Sequence, residues 1–419
     1  MVQLSSDAKG RAAQVARTSY GRLIALLAAP TRDISAAEDA LSDALEQALV
    51  RWPQVGVPEN PEAWLLTVAR NRQRDRYKSA AYRTSVPLDD TLEHVAGLTG
   101  PLIEADEWSD SDAIPDKRLA LMFVCAHPAI DPTVRAPLML QTVLGFSTDQ
   151  IAQAFAIPAP TMAQRLVRAK RRIRDTGVPF VIPERSTMPG RLTDVLEAIY
   201  GTYAIDWQGI EGTHERDSMS GEALYLAETL AELTDGEPEA LGLAALICLS
   251  LARVTARTDA AGRLIPLPEQ DMSRWDAQLI ERGEALLMRA HRQANIGRFQ
   301  LEAAIQSAHC ARRVTGATDW SAVRRLYDAL ITLAPTLGAL VSRAAVIGEI
   351  DGPDAGIAAL DEIDEPAVAR FQPAWATRAH LLARAEHPTA AAAAYERAIS
   401  LTTDAAARDY LRTALSELG

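Results

Sequence analysis

Apolar residues return at helical spacing in segment after segment of this 419-residue chain, and the pattern predicts an all-α fold. Residues 12 to 82 read as a small helical bundle that opens with a helix from Val15 to Ala28. A second helix, Ser35 to Leu49, sets Ala37, Leu41, Ala44, Leu45 and Ala48 on one side and Glu38, Asp39, Asp43 and Glu46 on the other, leaving an acidic face for a partner. After the turn Trp52 to Pro58, Asn60 and Pro61 open a third helix running to Lys78. Its first half packs inward through Trp64, Leu65, Val68 and Ala69, whereas from Arg70 onward it is basic on nearly every side, with Tyr77 and Tyr82 interleaved.

Residues 116 to 178 form a second helical module, with helices over Leu119 to Cys125 and Ala136 to Leu144. Its last part is the most telling. Ser147 or Thr148 caps a short helix carrying Ile151, Ala152 and Phe155 on one side, Pro158 and Pro160 stop it, and a turn over Ala156 to Ala159 leads into a second helix. That helix has an apolar stripe at Met162, Leu166 and Ile173 and a basic face at Arg165, Arg168, Lys170, Arg171 and Arg172, which suits phosphate. Two helices joined by a tight turn make the helix-turn-helix pattern, whose second helix enters the major groove and would present Thr161, Gln164, Arg165 and Arg168. An ordinary amphipathic hairpin with a solvated basic side shows the same spacing.

Pro179, Pro183 and Pro189 mark a linker to a third region, helical to the end. There Trp375, Ala379, Leu382, Ala391, Tyr395 and Ala398 fall at tetratricopeptide intervals, and Tyr327 to Pro335 reads as the second half of a similar repeat. Such a solenoid is an interaction surface or a packing device. The apolar run Leu241 to Ala252 is too short to span a bilayer and no targeting segment opens the chain, so a cytoplasmic location is expected, with no membrane partner. Cys125, Cys248 and Cys310 lie far apart without a CxxC pair, and each reads as a small buried hydrophobe. Scattered histidines, the lack of a Gly-rich phosphate loop and the lack of an HExxH or paired-carboxylate motif argue against an enzyme and imply neither metal nor cofactor.

The net charge of -12 hides a division. Residues 1 to 180 are neutral overall, and all the excess acid follows them. Within the first part, Arg70 to Arg83 carries +5 and Arg165 to Arg174 carries +6, while Thr84 to Asp116 holds nine acids and no Lys or Arg. Two basic modules on an acidic tether form a specific organisation, because like-charge runs stay solvated. Positive charge with interleaved aromatics, as at Arg70 to Arg83, suits single-stranded DNA through phosphate neutralisation and base stacking, although a solvated helix end looks alike.

The Ala-Glu-Asp-Ala-Leu helix, the Asn60 to Arg76 run and the Thr161 to Lys170 helix resemble regions two and four of extracytoplasmic-function sigma factors. The similarity is closest to the subgroup with a long tetratricopeptide-like C-terminal extension, and includes Leu119 to Pro128 and Glu269 to Asp276 with Leu279, Ile280 and Gly283. The resemblance implies region two over 1–85, an acidic linker over 86–115 that imitates nucleic acid in the polymerase cleft, region four over 116–180, and a tetratricopeptide-like regulatory domain over 190–419. It implies that Asp39, Asp43 and Gln47 dock on core RNA polymerase, that Trp64, Asn71, Arg74, Asp75 and Lys78 meet the promoter minus-10 element, and that Thr161, Gln164, Arg165 and Arg168 read the minus-35 element. The chain departs from the family at Ser42-Asp43, where Gln-Glu or Gln-Asp is usual, at Tyr203 to Gly209, and at Cys125-Ala126, where a Cys pair is frequent.

The expected function is a sigma factor controlled by its own extension, which contacts the sigma domains or the polymerase. A helix-turn-helix regulator with a tetratricopeptide sensor, acting without polymerase, is the alternative, and needs only one DNA-binding module. A scaffold using the repeats alone leaves both basic modules unexplained.

Overall fold

The computed structural model describes residues 2–84, 117–155, 157–178, 187–208, 219–364, 366–402 and 404–418, so the acidic run over 86–115 lies outside the described residues. The described residues are helical apart from turns and one isolated bridge between Thr258 and Leu264, and they divide between Ile205 and Asp206 into two units.

In the first unit, α1 (Val2–Ala28), α2 (Ile34–Val55) and α3 (Pro61–Thr84) make the expected bundle, with α1 starting earlier than its apolar pattern shows. Asp33 caps α2 by accepting from the Ala36 N–H, and Asn60 caps α3 by accepting from Ala63. Leu23, Ile24, Leu27, Ile34, Leu41, Trp52 and Leu65 form the core, each such side chain contributing about 1.5–3 kcal/mol on burial. Of the stripe expected on α2, Ala37, Leu41, Ala44 and Ala48 are buried and Leu45 only half so.

The second module has α4 (Lys117–Cys125), α5 (Pro132–Thr142), α6 (Thr148–Ala154) and α7 (Ala159–Asp175). Helix α5 sits a turn earlier than its pattern predicts, because Asp131 caps it and Pro132 suits its first position. Ser147 closes a reciprocal capping box with Gln150 on α6. Met162, Leu166, Ala169 and Ile173 bury α7 along the expected stripe. Phe155 is a correction: its ring is 38% exposed, because α6 ends at Ala154 and the chain has already turned away from the core.

These two modules pack on each other. A Cβ at Gly21 of α1 would stand 1.9 Å from the carbonyl oxygen of Val143, which ends α5, so only bare backbone allows this approach. One more helix, α8 (Pro189–Gln208), closes the first unit and buries Leu192, Val195, Leu196, Ile199 and Tyr203.

The second unit is built on α10 (Pro238–Leu251), with α9 (Met219–Leu233), α11 (Ala277–His291) and α12 (Arg298–Cys310) packed around it. Residues 238–256 are long and apolar enough to cross a membrane, with mean hydropathy 1.6, which differs from the sequence expectation. They are 83% buried inside the protein, as a central core helix is. Gly283 makes the contact possible, since a Cβ there would come within 2.7 Å of Leu249 Cγ. The Glu269 to Asp276 run is the folded connector into α11: Trp275 is 3% exposed beneath the Arg312 guanidinium, and Asp276 caps α11 through the N–H groups of Gln278 and Leu279.

After α13 (Arg312–Thr315), the helices α14 (Trp320–Leu333), α15 (Leu337–Ile350), α16 (Pro353–Asp361), α17 (Gln372–Arg384), α18 (Pro388–Leu401) and α19 (Ala405–Ser416) each pack on the next. Ala379, Ala391, Tyr395 and Ala398 are buried between α17 and α18, with Trp375 and Leu382 against them.

Candidate nucleic-acid interface

The basic half of α3 is shaped by what α2 holds of it. Trp64 stacks edge-on against the buried Trp52, ring centres 5.6 Å apart, which leaves its ring half-buried. Asn71 and Asp75 are exposed, and Asn71 Oδ1 accepts from Arg74 Nη1 at 3.3 Å. Arg74 is half-buried. The side chains of Lys78 and Tyr82 lie outside the described residues. Tyr77 is half-buried near Thr31, and burial raises its hydroxyl above the ordinary pKa.

Two arginines of this patch reach back to α2. Arg76 Nη1 donates to Asp39 Oδ2 at 2.9 Å, and Gln47, its amide oxygen turned toward Arg72, accepts from Arg72 Nε at 3.1 Å and Nη2 at 2.8 Å. Asp43 is half-buried between them on the same helix face. Both partners of the Arg76–Asp39 pair are more than half exposed, so it holds about 0.2–1 kcal/mol and is readily exchanged for another partner.

On α7, Thr161, Gln164, Arg165 and Arg168 are all exposed and share the side facing away from the buried stripe. Pro160 in the first turn needs no helical N–H there, and the helix dipole brings partial positive charge to the end where Thr161 stands. Arg171 and Arg172 are exposed as well.

Lys170 is a correction to the expected basic face. It turns inward, its Nζ donating at 2.7 Å to both carboxylate oxygens of Glu38 on α2, with the side chains 10% and 20% exposed. Burial raises the Glu38 carboxyl above its ordinary pKa, and the Lys170 charge and hydrogen bonds only partly offset this. Arg174 Nη1 lies 3.8 Å from Asp33 Oδ2 beside it. Glu38 is therefore not available to an outside partner, although the helical pattern set it on the open face. A partner 132 residues away leaves no signal in local periodicity.

Behind α7, the thiol of Cys125 is buried 3.7 Å from Thr142 Oγ1, and burial pushes its pKa up to about 12, so it sits there as a neutral packing group. Among the described residues there is no group of three or more His, Cys, Asp or Glu placed to hold a metal ion.

Comparison with known families decides what these two modules are. The model for sigma-70 region 2 matches residues 15–83, and that for sigma-70 region 4 matches residues 120–173. The chain carries the region 2 and region 4 domains of sigma-70 family RNA polymerase sigma factors. A family of unknown function (DUF6596) matches residues 191–291 of this sigma factor. An uncharacterised protein of Rhizobium meliloti (strain 1021) is 33% identical over 388 residues, 92% of this chain and 91% of that one. The probable ECF RNA polymerase sigma factor SigI of Mycobacterium tuberculosis is 29% identical over 147 residues, 35% of this chain and 48% of SigI. The probable RNA polymerase sigma factor RfaY of Xanthomonas campestris pv. campestris is 28% identical over 172 residues, 39% of this chain and 42% of RfaY. This sigma factor thus spans less than half the length of these two curated relatives. No solved structure matches it. Regions 2 and 4 belong to non-enzymatic initiation factors and imply binding to core RNA polymerase and promoter DNA.

Proposed function

We propose that this sigma factor holds promoter DNA at two points while docked on core polymerase, α3 acting at the minus-10 element and α7 at the minus-35 element. The exposed face of α7 carries the reading. An α-helix is about 10–12 Å across and B-DNA's major groove about 12 Å wide, so α7 fits with Thr161, Gln164, Arg165 and Arg168 toward the base edges. Arg165 and Gln164 have the donor geometry to pair with guanine and adenine edges, and Arg168 suits a phosphate.

On α3, Trp64, Asn71, Arg74, Asp75 and Lys78 serve the minus-10 strand, where a base leaves the stack during opening. Asp39, Asp43 and Gln47 dock on the polymerase by exchanging their weak pairings with Arg76 and Arg72 for polymerase contacts. The two elements lie about 25 base pairs apart, on the order of 85 Å at about 3.4 Å per step. Modules joined by a 2.7 Å ion pair cannot reach both, so promoter engagement parts Lys170 from Glu38.

The C-terminal unit we read as a tetratricopeptide-like regulatory domain. Its small residues at Ala379, Ala391 and Ala398 support the repeat assignment, and the acidic excess beyond residue 180 supports control by contact with basic sigma surfaces or the polymerase.

Footprinting on a selected promoter tests this against a polymerase-independent regulator. The full chain with core polymerase should protect DNA at both elements, and the chain alone at neither. Protection of one site by the chain alone supports the regulator instead. A parallel footprint with the chain ended at Gln208, which retains α8, should differ in strength if the extension regulates.

A further inference from the structure

Helix α8 stands where the sequence places the start of the C-terminal domain, yet its side chains enter the region 4 module. A Cβ at Gly201 would meet Leu140 Cδ1 of α5 at 3.4 Å. Asp194 Oδ2 of α8 accepts from Arg135 Nη1 of α5 at 2.8 Å, with the side chains 22% and 13% exposed. Arg191 Nη1 donates to the carbonyl of Phe123 near the end of α4 at 3.1 Å.

Arg135 grips the turn between α4 and α5, and Arg191 the end of α4 that leads into it. Arg135 Nε donates to the Ile130 carbonyl at 2.9 Å and its Nη2 to that of Pro128 at 3.5 Å. The charges of Arg191 and Arg135, after burial, lower the pKa of His127, whose Nδ1 accepts from the Ala129 N–H at 3.1 Å. The turn ends at Asp131, whose carboxylate accepts from Thr133 N–H at 2.9 Å and Oγ1 at 2.8 Å. Those bonds hold its carboxyl below the ordinary range, and the charge of Arg165 on α7 adds to the effect. Hydrogen bonds therefore run from α8 through Arg135 to the turn, which ends at the Asp131 cap of α5, and α5 packs against α7, the helix that carries Arg165. This route also accounts for the Leu119 to Pro128 motif, which leads into the turn.

We propose that Asp194, through Arg135, is a positioning residue for promoter reading: α8 fixes the turn that sets where the Arg165 guanidinium stands against the upstream element. Ordinary helix-turn-helix packing needs only α4 to α7, and here a fifth helix, continuous in sequence with the C-terminal unit, is built into the same core. A displacement of α8 would reach the turn through Arg135 and, through α5, the helix that carries Arg165. A guanidinium that must meet a base edge in two parallel hydrogen bonds tolerates little misplacement, so a small shift of the turn costs much of that contact.

The proposal rests on α7 as the upstream reader, and the test separates the two. Full-length chains carrying Asp194→Asn, Asp194→Glu or Arg165→Ala are assembled with core RNA polymerase on a promoter the unaltered chain selects, intact or with its upstream element scrambled. The readout is the ratio of transcript from the two templates, with core affinity measured alongside. Asp194→Asn should lower the ratio about three- to tenfold by reducing only the intact-template transcript, Asp194→Glu should keep most of it, and core affinity should stay within about twofold. A merely structural role would reduce both templates together, and that result overturns the proposal. An unchanged ratio in Asp194→Asn, with a collapsed one in Arg165→Ala, overturns it while leaving the reading of α7 intact. An unchanged ratio in Arg165→Ala overturns both.

Discussion

Replacing Arg165 with Ala is expected to cut use of the upstream promoter element by about 5- to 100-fold while leaving polymerase affinity unchanged. A bidentate arginine-to-base contact discriminates by about 1–3 kcal/mol, and each 1.4 kcal/mol is tenfold. The helix should tolerate the change. Arg165 is exposed, whereas the fold of α7 rests on Met162, Leu166, Ala169 and Ile173, and surface substitutions of this kind usually stay within about 0.5 kcal/mol. Arg168→Ala provides the contrast, since loss of a phosphate contact weakens binding evenly across sequences and flattens the salt dependence by about one unit. Binding of the assembled holoenzyme to matched and mismatched duplexes, across a salt series, measures both. Equal losses on matched and mismatched DNA for Arg165→Ala would remove it from base reading.

Lys170→Met should destabilise the first unit by about 2–3 kcal/mol, the larger effect of the two on folding. It leaves the Glu38 carboxylate at 20% exposure without its ammonium partner and beside Asp39 and Asp33, whose charges disfavour it further. Stranding one member of a fully buried pair costs about 3–5 kcal/mol, and the residual exposure here lowers that. Because burial outweighs Lys170 at Glu38, the ionised pair is itself a poor contributor. The double variant Glu38→Leu with Lys170→Met should therefore recover most of the loss. Urea midpoints of the single and double variants decide it, and a single variant as stable as the unaltered chain would show that the pair does not hold the modules together. If promoter engagement parts this contact as proposed, the double variant should also leave transcription largely intact.

The sequence made α7 legible because its stripe and its proline-marked start are local signals, and the structure places Met162, Leu166 and Ile173 in the core as that pattern requires. Ser147 was equally readable, since a capping box spans only four residues. Lys170 was misplaced among the outward cations because its position on the helix does not reveal that Glu38 waits across a module boundary. Gly21 gave no warning either; a glycine within a helix reads as weak propensity, and only the approach of Val143 shows its use. Helix α8 was recognisable as a helix after Pro189, but apolar spacing does not say which core it enters. Its pairing with Arg135 settles that, and Asp194 had no sequence signal beyond being one acid on an amphipathic helix.

A sigma factor sets where polymerase starts. Transcription in vitro, with purified core RNA polymerase and a library of genomic fragments, tests it most directly by mapping transcript ends with and without the full-length protein. A small set of new starts should appear only with the protein and share sequence at two upstream positions about 25 base pairs apart. Starts at random, or only those that core polymerase makes alone, would contradict it.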